Sequence, residues 1–158
     1  MIRKLKSLLA GRHGKESENT ADADTLKLAS AALLMEAACM DGHADEQEIA
    51  TVTSLLAGHF ELSADEAREL AEAGREAVAK SVELYGFTRT IKDSFNHEDR
   101  VRMIEMLWQV AYADGILHDF EANLVRRVSG LIYVPDRESG EARKRVLERL
   151  DLNAPDVS

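Results

Sequence analysis

Apolar residues recur along most of this chain every three or four positions, the spacing that gives an α-helix one buried face. The pattern restarts seven times between residues 22 and 150, and each restart lies near a residue that favours a helix end. These boundary residues include Asp22, Ser63 with Glu66, Asn96, the pairs Asp41-Gly42 and Asp114-Gly115, and Asp136 after Pro135. No stretch alternates with a period of two. The sequence therefore predicts an all-α, compact bundle of about seven helices.

The predicted helices give the chain one domain with two short flanks. They cover residues 22–40, 45–60, 63–80, 82–95, 96–113, 119–133 and 137–150. The domain thus spans residues 22–150. Residues 1–21 are predicted to be a basic amphipathic helix followed by a linker, and residues 151–158 a polar tail.

Charge is divided unevenly between the amino-terminal segment and the rest. Residues 1–15 hold five basic side chains and no acidic one, whereas the remaining chain holds fifteen basic and 29 acidic residues. Within residues 1–10 the apolar positions have helical spacing, and Arg3, Lys4 and Lys6 lie mostly on the other side. Two alternatives follow: weak contact with an anionic membrane surface or a partner through these cations, or packing on the chain's own domain.

Composition excludes several classes of protein. With 158 residues the chain has room for one ordinary domain. A net charge of −9 argues against a nucleic-acid binder. No window approaches the roughly 18 apolar residues of a membrane span. The single cysteine, Cys39, excludes an internal disulfide, so we expect a cytoplasmic protein, with peripheral attachment at the inner membrane as an open alternative.

Two parts of the sequence repeat one another. A shift of 73 residues superimposes six identical pairs, concentrated around a helix, an Asp-Gly turn and a second helix. They are Leu34 and Leu107, Ala38 and Ala111, Asp41 and Asp114, Gly42 and Gly115, Glu48 and Glu121, and Val52 and Val125. Apolar periodicity alone would not repeat the polar members. We therefore expect two duplicated helix–turn–helix units related by a pseudo-twofold axis.

The repeated polar pattern is Asp-Gly followed, six residues after the glycine, by Glu. This spacing matches the second half of an EF-hand calcium loop. The earlier ligand positions hold residues without a hard oxygen ligand, namely Ala37 and Cys39 in one copy and Val110 and Tyr112 in the other. A true EF-hand is therefore excluded.

Two interpretations of the repeated turns stay open. The first is a different cation site, in which Asp41, Glu48 and Glu36, and Asp114 with Glu121, gather oxygen ligands. His43 and His118 lie in the same turns and would suit a transition metal. In the second, the glycines end one helix in a left-handed conformation and the glutamates cap the next.

Several segments resemble the TerB-like, or tellurite-resistance TerB, family. They are Leu33–Ala38 running into Asp41-Gly42, Ser81–Arg89, and Leu107–Gly115 followed by Arg126-Arg127. The resemblance covers roughly residues 25–150, and its most specific part is Trp-x-Val-Ala-Tyr-Ala-Asp-Gly.

This resemblance implies a bacterial, all-helical domain with an acidic surface, linked to tellurite and chemical-stress resistance and to membrane-associated partners. It also implies a metal site at the paired Asp and Glu positions. On this chain the ligands are Asp41, Glu48, Asp114 and Glu121, with Glu36 and Glu105 as neighbours. Gln109 stands where a further Glu is expected. No His-Pro-Asp motif is present, so chaperone stimulation is not implied.

The remaining residues suggest no enzyme. No Ser-His-Asp arrangement, phosphate-binding glycine loop or paired-histidine motif occurs, and Tyr85, Phe87 and Trp108 are expected in the core. We therefore expect a non-enzymatic module without an organic cofactor, which binds a divalent cation and a protein partner in a bacterial stress response. The alternative is a metal-free structural adaptor that acts by protein contacts, including contacts at the inner membrane surface.

Overall fold

The computed structural model describes residues 18–39, 46–80, 85–113, 115 and 117–151. These residues form seven α-helices and, within the described ranges, no strand. The helices are α1 (Glu18–Ala38), α2 (Glu46–Phe60), α3 (Ala64–Lys80), α4 (Tyr85–Ser94), α5 (His97–Ala111), α6 (Asp119–Leu131) and α7 (Asp136–Arg149). The predicted all-α bundle is confirmed.

Some predicted features lie outside the described residues. These are the amino-terminal helix with Arg3, Lys4 and Lys6, most of the linker, the Asp41-Gly42 turn with His43, Asp114, and the tail from residue 152. Helix α1 begins at Glu18, within the predicted linker and four residues before Asp22. No Gly or Pro interrupts residues 18–23, and Ala21 and Ala23 are strong helix formers.

Helix α1 is the centre of the bundle. Almost every residue from Ala29 to Ala38 is buried, and the helix packs on α2, α3, α4 and α5. Its most extensive contact is with α3, where small residues let the two helix backbones approach closely. A Cβ atom placed on Gly74 would lie 2.7 Å from the carbonyl carbon of Ala31. There is therefore no room for a residue larger than glycine where α1 and α3 cross.

Helices α5 and α7 are joined by Trp108. Its Nε1–H donates to the backbone oxygen of Ser139 at 3.1 Å and lies 3.2 Å from the Ser139 hydroxyl. The Arg143 guanidinium lies over the indole, 5.5 Å from the ring centroid, and its Nε donates to the Tyr112 hydroxyl at 2.8 Å. The buried indole thus has its polar atom satisfied, as close packing requires.

Helix starts follow the sequence signals at Ser63 and Asn96, but not at Asp22 or Asp136. The backbone N–H of Ser63 donates to Glu66 Oε1 at 3.0 Å and that of Glu66 to Ser63 Oγ at 3.1 Å, so the predicted capping box is confirmed. The cap predicted at Asp136 is wrong, because Pro135 is the N-cap and Asp136 is the first helical residue. The extended Pro135 backbone, with φ −63° and ψ 153°, sets the helix start, and the acid gains from the helix dipole.

The aromatic residues divide between the core and the surface. Trp108 is buried and Phe87 packs partly on the core, as expected. The prediction for Tyr85 is wrong, since 53% of this residue is exposed. The buried residues of α4 are Thr88 and Ile91, and Tyr85 lies about 60° around the helix axis from Thr88 and about 120° from Ile91.

Matching positions of the two repeats have matching burial. Leu34 and Leu107 are both 0% exposed, and Ala38 and Ala111 are 1% and 0% exposed. This is what duplication predicts, while the pseudo-twofold arrangement itself stays a prediction. No helix in the described parts of the chain is long and apolar enough to cross a membrane.

Candidate functional site

Two glutamates stand apart from the other acids of the protein. Glu48 is 6% exposed and Glu121 is 3% exposed, and they are the two buried acidic side chains among the described residues. Each is the third residue of its helix, Glu48 in α2 and Glu121 in α6. They are also the pair that the 73-residue repeat aligns. The structure therefore buries both repeated glutamates at the same position of their helices.

Burial of a carboxylate is costly unless hydrogen bonds or a cation compensate it. For Glu121 one such contact is backbone: the N–H of His118 donates to Glu121 Oε1 at 3.4 Å. His118 is the N-cap, so this is the return bond of a capping box. The imidazole of His118 stacks on Phe120 with ring centroids 5.4 Å apart. The positive end of the helix dipole adds to the stabilisation of both glutamates.

The turn before α6 has the backbone that the glycine predicts. Gly115 has φ +87°, in the left-handed region that glycine adopts without strain. Its N–H donates to the oxygen of Tyr112 at 2.8 Å, just after the end of α5. This agrees with a helix that ends at the Asp-Gly pair. Asp114 itself, and Asp41 with Gly42 in the other copy, lie outside the described residues.

The predicted neighbours Glu36 and Glu105 occupy different environments. Glu36 is half-buried on α1. Glu105 faces α7, where its Oε1 lies 3.0 Å from Arg145 Nη2 and its Oε2 pairs with Arg149. Gln109, one turn further, accepts from Arg149 Nη1 at 3.1 Å. The structure thus places Glu105 in an ion-pair network that sequence reasoning missed, because its partners follow it by 40 and 44 residues.

The described residues alone do not complete a metal site. Among them, no group of three or more His, Cys, Asp or Glu side chains could hold a metal ion. The predicted ligand set therefore depends on Asp41 and Asp114. Carboxylate oxygens are the donors that hard divalent cations prefer, so the donor chemistry of the set fits such an ion.

A shallow cleft of about 410 Å³ lies between the start of α5 and α7. His97 Nε2 and Glu138 Oε1 meet across it at 2.5 Å. Glu98, Glu141 and Arg102 also line it. The wall thus mixes charges of both signs, and its close pairs are His97 with Glu138 and Arg145 with Glu105.

His59 is a further titratable residue, and it lies outside the repeated turns. It is half-buried near the end of α2, with its ring edge against Phe60 and Phe95 at centroid distances of 4.7 and 5.8 Å. Burial lowers the pKa of its imidazole, Arg102 lowers it further, and Asp99 acts in the opposite direction. Within the described parts of the chain, its buried Nδ1 has no hydrogen-bond partner.

These features define an all-helical bundle in which the two glutamates of the sequence repeat are buried. The family model described as Tellurite resistance protein TerB matches residues 27–144, from α1 into α7. The chain therefore belongs to the TerB family, as its resemblance predicts. No curated protein and no solved structure matches it significantly.

Proposed function

We propose that this TerB-family chain is a non-enzymatic module that binds a divalent cation and passes the bound state to a protein partner in a bacterial tellurite or chemical-stress response. The proposed ligands are Asp41, Glu48, Asp114 and Glu121. The observation that carries the proposal is the burial of Glu48 and Glu121 at equivalent helix positions. The family match supports the link to tellurite resistance.

Burial removes part of the hydration of both carboxylates, and bonds within the fold, such as that from the N–H of His118 to Glu121, compensate for this loss. A carboxylate has lone pairs for several contacts. A divalent cation held between each glutamate and the aspartate of its turn would add to this stabilisation. Its binding would also tie the end of one helix to the start of the next, which is a local change that a protein partner can detect.

The alternative function is that of a metal-free adaptor. It is favoured by the hydrogen bond from His118 to Glu121 and by the left-handed Gly115, since both are ordinary features of helix ends. In this case the buried glutamates stabilise α2 and α6, and the protein acts by surface contacts alone. The basic segment with Arg3, Lys4 and Lys6 would then provide attachment to a partner or to the inner membrane surface.

Thermal unfolding separates the two functions, because an ion that binds only the folded state must raise Tm. Metal-free protein is titrated with Ca²⁺, Mg²⁺, Mn²⁺ and Zn²⁺, beside an Asp114→Asn, Glu121→Gln double variant. A matched control carries Glu72→Gln and Glu76→Gln, two exposed positions on α3. The proposal expects one ion to raise Tm by several degrees in the wild type and the control, and by less in the double variant. If no ion raises Tm, the cation function is wrong and the adaptor remains.

The attachment proposed for the basic segment has its own test. The full chain and a variant that lacks residues 1–15 are each sedimented with vesicles that contain anionic phosphatidylglycerol. Weak, salt-sensitive binding of the full chain alone is expected. Equal sedimentation of the two proteins would show that the segment does not contact the membrane.

A further inference from the structure

His59 lies where the end of α2 meets the start of α5. Its ring makes edge contacts with Phe60 of its own helix and with Phe95, which follows α4, at interplanar angles of 78° and 82°. Helices α2 and α5 pack against each other, and two charged residues of α5, Arg102 and Asp99, act on the imidazole. The fold therefore places a group that titrates near neutral pH inside a contact between helices.

One nitrogen of this ring has no acceptor for a proton. Nδ1 of His59 is buried and has no hydrogen-bond partner among the residues that the structure describes. In the neutral imidazole this atom can be a bare acceptor, whereas the imidazolium carries a proton on both nitrogens. Protonation would thus make Nδ1 a buried donor without an acceptor, an arrangement that folded proteins rarely contain. The contact as it stands in the structure fits the neutral ring.

The charges around His59 act in both directions. Among the described residues of the helices packed on α2, the charged groups that shift its titration are Arg102 and Asp99. Burial disfavours the imidazolium most, and the positive charge of Arg102 adds to this effect. Asp99 opposes it, as does the negative end of the α2 dipole, because His59 is in the last turn. Burial and Arg102 prevail, so the pKa of His59 lies below its ordinary value of 6.5.

The last turn of α2 is held by few buried contacts. Residues 57–62 are all partly or fully exposed, and the last buried residue of the helix is Leu56. Gly58 lowers the helix propensity of this turn. The chain then reverses at Glu61, whose φ of 56° lies in the left-handed region, where a side chain crowds the backbone. A segment with these properties opens at a lower cost in free energy than the core of the bundle.

We propose that His59 makes the contact between the end of α2 and the start of α5 an acid-sensitive switch, which is closed while the imidazole is neutral and opens when it is protonated. In the open form, residues 57–62 leave α5 and water hydrates the charged ring. The apolar faces of Phe60 and Phe95 then meet solvent. A fall in pH is thereby converted into newly exposed apolar surface. This switch does not depend on the cation site.

The size of the response follows from the titration of the ring in the open form. There the ring is in water, so its pKa is the ordinary 6.5. At pH 5.5 such a ring is protonated about ten times more often than it is neutral, whereas at pH 7.5 it is mostly neutral. The ratio of open to closed protein therefore rises by up to about tenfold between these pH values, and by less to the extent that the closed form also takes up a proton.

Hydrogen–deuterium exchange of the full chain at pH 7.5 and pH 5.5, corrected for the intrinsic pH dependence of amide exchange, tests the switch. We expect the protection of residues 57–62 to fall by about threefold to tenfold at pH 5.5, while the buried centre of α1 keeps its protection. His59→Gln should abolish the fall, because glutamine does not titrate. His97→Gln, which removes an exposed histidine at the start of α5, is the matched control and should respond like the wild type.

Arg102→Gln is a second variant that leaves His59 in place. Loss of this positive charge should raise the pKa of His59 towards 6.5 and so reduce the fall in protection. An NMR titration of the Cε1–H signal of His59 measures this pKa directly. Equal protection of residues 57–62 at the two pH values, the same fall in His59→Gln as in the wild type, or a His59 pKa at or above 6.5 would overturn the proposal.

Discussion

Replacing Gly74 by alanine would press a methyl group into the neighbouring helix. A Cβ at this position lies 2.7 Å from both the carbonyl carbon and the Cβ of Ala31, and 2.9 Å from its carbonyl oxygen. Carbon atoms in contact normally lie about 3.5–4.0 Å apart. Helices α1 and α3 must therefore separate by about 1 Å. Because two of the three atoms belong to the backbone, no side-chain rotation can relieve the overlap.

The cost can be worked from two opposing effects. Overpacking a tightly packed interior costs about 1–3 kcal/mol, and the backbone contact at Ala31 puts Gly74→Ala at the upper end. The higher helix propensity of alanine returns about 1 kcal/mol. The net loss in the free energy of unfolding is then about 2 kcal/mol, which in a chain of this size lowers Tm by about 4–8 °C.

Thermal and urea unfolding, followed by far-UV circular dichroism, measure this loss. Gly58→Ala and Gly140→Ala are matched controls, since both glycines are helical and have nothing within 4 Å of an added Cβ. Each control should gain up to about 1 kcal/mol from helix propensity. If Gly74→Ala melts at or above the wild-type Tm, as the controls do, then the close approach of α1 and α3 is wrong.

Three further predictions concern single side chains. Trp108→Phe removes the indole hydrogen bond to Ser139 and should lower the free energy of unfolding, measured in urea titrations, by about 1–2 kcal/mol. Ser139→Ala should cost less, because it keeps the bond to the backbone oxygen. A smaller loss for Trp108→Phe than for Ser139→Ala would refute the contact between α5 and α7 through this bond. Glu105→Gln breaks ion pairs with two half-exposed arginines and should cost at most about 1 kcal/mol, an effect that 1 M salt removes. It should leave any cation-induced rise in Tm unchanged, and a reduced rise would instead make Glu105 a ligand. Burial lowers the pKa of His59, so the unfolded chain takes up a proton before the folded protein does as the pH falls below 6.5. The free energy of unfolding should therefore decline below pH 6.5, and it should decline less in His59→Gln. Equal declines in the two proteins would show that another group is responsible.

The helices could be predicted because their signals are local. The 3.6-residue periodicity, the Ser63–Glu66 capping box and the Asn96 cap act within one or two turns, and the structure confirms each of them. The missed features depend on residues far apart in the chain. The close approach of Gly74 to Ala31 and the pairing of Glu105 with α7 arise only when helices pack.

The candidate site likewise has features that the sequence predicts and features that depend on how the helices pack. The repeat identified Glu48 and Glu121 as special, and the structure shows that both are buried. The repeat could not show that Tyr85 is exposed, because the register of α4 against α1 decides which of its residues face inward.

Isothermal titration calorimetry of the metal-free protein with Ca²⁺, Mg²⁺, Mn²⁺ and Zn²⁺ tests the cation function most directly. We expect saturable binding of at least one ion to the wild type and to the exposed-position control Glu72→Gln. Glu48→Gln and Glu121→Gln should each weaken binding at their own turn at least tenfold and leave the other turn unchanged, because each removes the charge of a buried oxygen ligand. Each variant should therefore take up fewer ions with high affinity than the wild type. No saturable heat in the wild type, or the same stoichiometry and affinity in all four proteins, would contradict a cation site at the repeated turns.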